Sequence, residues 1–73
     1  MQKPCLTDNC YNITKQLAKK LEFLSHVGKY VEDAQKSGDE KTKTTWETIR
    51  SDEEKHTGML RDLLIAEVKG NKL

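Results

Sequence analysis

Apolar and small side chains recur along this chain in steps of three and four, in two long runs broken by a single "SGD" at residues 37–39. That spacing places them on one stripe of an α-helix. The first run passes through Cys10, Ile13, Leu17, Leu21, Leu24, Gly28, Val31 and Ala34. The second passes through Thr42, Trp46, Ile49, Glu53, His56, Leu60, Leu63, Leu64 and Glu67 and stops at Gly70. Gly38 offers a helix C-cap and Asp39 an N-cap, so the spacing predicts helix one over about 8–37 and helix two over about 40–69. Residues 1–7 form an N-terminal segment and 71–73 a tail. Each helix is then roughly 45 Å long, and so short a turn forces the two antiparallel. The expected fold class is all-α, a two-helix hairpin. Gly28, on the inner stripe of this reading, marks either a close backbone approach or a tolerated small residue.

A chain of 73 residues, 34% of them hydrophobic, builds only a thin core alone. Two helices cover only part of each other's stripe, which leaves Leu17, Leu24, Leu60 and Leu64 facing water in a monomer. Pairing two hairpins into a four-helix bundle buries them, at roughly 1.5–3 kcal/mol for each large apolar side chain removed from solvent. A homodimer or a higher homo-oligomer is expected, with a further protein partner as another occupant. Lys and Arg total 13 against 12 Asp and Glu, so no global field draws in a polyanion, and Tyr11, Phe23, Tyr30 and Trp46 do not interleave with the lysines as a stacking platform requires. Nucleic acid is not an expected partner. The longest strongly apolar stretch, "LLIA" at 63–66, is far short of a membrane span, and residues 1–25 show no leader pattern. These features predict no membrane insertion and a cytoplasmic location. The "NIT" at Asn12 has the form of a glycosylation acceptor, read here as a chance tripeptide.

Glu53 and His56 stand one turn apart at i and i+3, within roughly 40° of the centre of the second stripe, so both are expected to point inward. Two such side chains converge on a single cation. An uncompensated carboxylate in that position costs several kcal/mol, so a positive group should face Glu53.

With those residues in view, "WETIRSDEEKHTGMLRDLL" resembles the second helix of a ferritin-like, rubrerythrin-type half-domain, in which an aromatic residue, an aliphatic one and a Glu-x-x-His motif precede paired leucines. Trp46 and Ile49 take the first two places, and Glu53 and His56 match the metal-binding pair. The resemblance covers roughly residues 13–66. It implies a ferritin-like four-helix bundle regenerated by a dimer, iron or another transition metal as cofactor, and a role in iron or oxygen metabolism with Glu53 and His56 as ligands. The family's first-helix glutamate has no counterpart, because its place falls on Lys20. Two readings follow. In one, Lys20 neutralises Glu53 in place of an ion, and the chain is a metal-free helical-hairpin interaction or assembly module. In the other, two Glu53 and two His56 hold one metal ion across the dimer axis while Lys20 swings outward. Two adjacent metals, which oxidase or peroxidase chemistry requires, call for more carboxylates than the chain provides, and no triple of nucleophile, base and orienter stands out.

"PCLTDNC" places Cys5 and Cys10 at the start of helix one. They can bridge each other in a loop, or supply four thiolates to a dimeric zinc site if the amino termini meet. The reading preferred here keeps both reduced, with Cys10 packed as a small apolar residue and Cys5 exposed.

Overall fold

The structure, a computed structural model, describes residues 7–73. Two helices, α1 (Asp8–Lys36) and α2 (Glu40–Lys69), pack against each other as an antiparallel hairpin. Thr7 begins α1: its backbone is extended and its hydroxyl accepts from the Cys10 N–H at 3.2 Å. The chain reverses over Ser37, Gly38 and Asp39. Gly38 has φ +74°, a left-handed conformation that costs glycine little. Asp39 then starts α2, its carboxylate accepting from the Thr42 N–H at 3.0 Å and the Thr42 hydroxyl at 2.7 Å. At the open end, the Thr7 N–H donates to the Leu73 carbonyl at 3.0 Å and its hydroxyl to that of Lys72 at 2.9 Å. The end of the chain is thereby tied to the first turn of α1.

The line along which α1 meets α2 differs from the expected stripe. Cys10, Ile13, Leu17, Lys20, Leu24, Val27, Val31 and Ala34 are all buried or half-buried, a strict alternation of three and four. The expected line strayed to Leu21, which is 51% exposed, and to Gly28, which is exposed with open space where a Cβ would stand. A straight helix drifts about 20° per seven residues from a seven-residue repeat, so over the length of α1 only the strict repeat stays against a partner. On α2 the matching line is Lys43, Trp46, Arg50, Glu53, Thr57, Leu60, Leu64 and Glu67, of which Arg50 alone is exposed. Ile49, His56 and Leu63 form the next line round, on an open flank. Leu17, Leu24, Leu60 and Leu64, expected to face water in a monomer, lie half-buried between the helices instead.

Five of the eight α2 positions facing α1 are polar, which explains why no α2 residue is fully buried. Among the described residues the core is Cys10, Val27 and Ala34 of α1. The molecule measures 50 × 25 × 12 Å. Its short dimension equals one helix diameter, so the hairpin is a single layer with both broad faces open. No helix among the described residues is long and apolar enough to cross a membrane.

Gly28 therefore marks no close approach. Gly28→Ala is expected to raise stability by about 0.5–1 kcal/mol, because alanine holds helix better and meets nothing. A urea titration checks this: a higher midpoint is expected, and a lower one would mean that the position is packed.

Cys10 is fully buried and takes part in a disulfide, which corrects the expected free thiol. The chain's other cysteine, Cys5, lies outside the described residues. Disulfides persist in oxidising surroundings and are rare in the cytosol, so this bond stands in tension with a cytoplasmic location.

Candidate functional site

The antiparallel pairing brings the middle of α1 level with the middle of α2. Lys20 and Glu53 lie there on the two facing lines. The Lys20 ammonium donates to both Glu53 oxygens, at 3.1 Å to Oε1 and 3.2 Å to Oε2. One turn further along α2, the His56 ring approaches the same carboxylate, with Nδ1 2.9 Å from Oε1. The imidazole donates when its proton is on Nδ1, which holds for imidazolium and for one neutral tautomer. Thr57 ties the site to the backbone, its hydroxyl donating to the Glu53 carbonyl at 2.7 Å.

The three side chains differ in exposure. Lys20 and Glu53 keep 25% and 21% of their side-chain surface, whereas His56 keeps 49%. The expectation that Glu53 and His56 both point inward thus holds for Glu53 alone. The difference follows from the seven-residue repeat: Glu53 and Thr57 lie on the line facing α1, and His56 lies one position off it. Lys20, expected at the edge of the inner face, is on the facing line itself.

Charge and hydrogen bonding set the protonation of Glu53. The hydrogen bond with His56 and then those from Lys20 hold its carboxyl below the ordinary glutamate value, against the partial burial that would raise it. Lysine and glutamate cancel, and the site is neutral with His56 uncharged. Within one hairpin the donors are one carboxylate and one imidazole, and the ammonium contacts both carboxylate oxygens. Among the described residues, no cluster of three or more His, Cys, Asp or Glu side chains is placed to hold an ion.

Glu53 and His56 open onto a shallow groove lined also by Phe23, Ile49 and Asp52. Beside it Phe23, Tyr30 and Trp46 form an aromatic cluster, with centroids 6.3 Å apart for Phe23 and Tyr30, 6.3 Å for Phe23 and Trp46, and 5.0 Å for Tyr30 and Trp46. This cluster was not foreseen from the sequence. The signal for it is the seven-residue interval between Phe23 and Tyr30, which sets both on one flank of α1. Compared with family models, curated proteins and solved structures, the chain has no match.

Proposed function

We propose that this chain is a ferritin-like helical hairpin serving as an assembly module: two copies pair into a four-helix bundle, and Lys20 stands where a cation would otherwise balance Glu53. The observation that carries this reading is the contact of one ammonium with both oxygens of the Glu53 carboxylate. It satisfies the carboxylate from within the chain, so the charge that a metal ion would neutralise is already balanced. Pairing is supported by the single-layer shape, since a helical layer with an apolar face gains stability by covering that face with a second layer. The family name rests on the Trp46, Ile49, Glu53 and His56 pattern alone.

A second reading keeps a transition metal, iron included, shared by two Glu53 and two His56 across the dimer axis. The convergence of His56 Nδ1 and Glu53 Oε1 on the open flank favours it. Cobalt(II) titration of the parent and of Lys20→Glu separates the two. The lysine reading expects no uptake by the parent and new uptake by the variant, which gains a carboxylate and loses the competing charge. Stoichiometric binding by the parent that Glu53→Ala abolishes would overturn it.

A further inference from the structure

Resting on the reading of the chain as a self-assembling hairpin, we infer that the second copy docks on one particular broad face, the one carrying Phe23, Tyr30, Ile49, His56, Met59 and Leu63, and leaves the other in water. A compact monomer of this mass, 8.4 kDa, exposes about 4600 Å² by the scaling of surface with mass. The hairpin exposes 5520 Å². The surplus of about 900 Å² is close to the roughly 800 Å² that each partner buries in a standard protein interface. A surplus of that size is what an elongated single layer with uncovered broad faces leaves for a second copy to bury.

The two faces are not equivalent. On the face with the groove, the lines next to the helix contact hold Phe23 and Tyr30 from α1 and Ile49, His56 and Leu63 from α2, with no formal charge when His56 is neutral. On the opposite face, the corresponding line of α2 holds Glu47, Glu54 and Arg61, all exposed. Burying those charges costs more than the neighbouring Leu21 and Val68 return. The apolar groups on the groove face are accessible despite their character: Met59 is 60% exposed and Leu63 52%.

Charge at the rim suits a second copy of this same chain. Lys19 and Asp52 adjoin Lys20 and Glu53, whose ion pair fixes them at one height of the hairpin. When α1 of one copy lies antiparallel over α2 of the other, the two-fold axis brings Lys19 level with Asp52 twice. An isologous pair requires this self-complementarity.

The test follows association by sedimentation for the full chain, Leu63→Lys and Val68→Lys, with circular dichroism confirming that each remains helical. Peroxide oxidation of Met59 in the unmodified protein, over a range of protein concentrations, gives a readout free of mutation. Leu63→Lys is expected to weaken pairing about thirtyfold or more, Val68→Lys to leave it within about threefold, and Met59 to become protected as dimer forms. A dimer in which Met59 stays as reactive as in the monomer, or which Val68→Lys disrupts and Leu63→Lys does not, overturns the choice of face while self-assembly stands. An unmodified chain that is monomeric at every concentration overturns both, and leaves the face to a different partner.

Discussion

Val27→Asp is expected to abolish the folded hairpin, with loss of most of the helical circular dichroism at 25 °C. Among the described residues Val27 is, with Cys10, one of two fully buried side chains, and it has no exposed surface. A carboxylate at that point has no cation beside it on the α1 line, where Leu24 and Val31 are its neighbours one turn away. Burying an unpaired charge costs several kcal/mol even after relaxation. A chain of this length has a total stability of about 4–11 kcal/mol, and the thin core leaves little to offset the loss. The same substitution at Leu21, on the exposed side of α1, is expected to change stability by less than about 1 kcal/mol. A helical spectrum retained by Val27→Asp would show that the strict seven-residue line is not the core.

The second large effect belongs to Lys20. Lys20→Met leaves Glu53 half-buried without its cation and is expected to cost about 1–3 kcal/mol at pH 7, a figure reduced from that of a fully buried pair because both groups keep some solvent contact. The pH dependence has a definite sign. The folded-state pKa of Glu53 lies below its ordinary value of 4.5. Its contribution to stability is therefore present above about pH 4.5 and lost as the pH falls through the lower folded value. Asp39 behaves alike from its ordinary 3.8, its carboxyl held down by the Thr42 hydroxyl and N–H. Urea midpoints measured between about pH 2.5 and 7 are expected to be level in the upper range and to fall on acidification. The penalty of Lys20→Met should shrink over the same fall, because a protonated Glu53 no longer needs the ammonium. A penalty independent of pH would mean that Lys20 acts by packing alone.

The hairpin was legible in the sequence because helical period, a glycine at the reversal and an aspartate cap all agree over residues 37–39. The pairing of Lys20 with Glu53 was one of two readings the sequence left open: a carboxylate inside the stripe demands a positive group, and the resemblance to the ferritin-like family put Lys20 in the place of its first-helix glutamate. The exact line of contact was not. Counting at 3.6 residues per turn admits Leu21 and Gly28 as readily as Lys20 and Val27, and only packing against a second helix selects the 3.5-residue period. The same ambiguity turned His56 inward, when it stands on the flank. The disulfide at Cys10 was illegible too, since the spacing of the cysteines permits bridged and unbridged states alike.

The claim on which the proposed function depends is that the glutamate of the Glu-x-x-His pair is balanced by the chain's own lysine inside a paired hairpin. A native mass spectrum of protein purified without added or stripped metal addresses both halves at once. The expected spectrum shows two chains at the mass of the bare polypeptides. A dimer heavier by a transition-metal ion, with that mass lost in Glu53→Ala, would contradict the account.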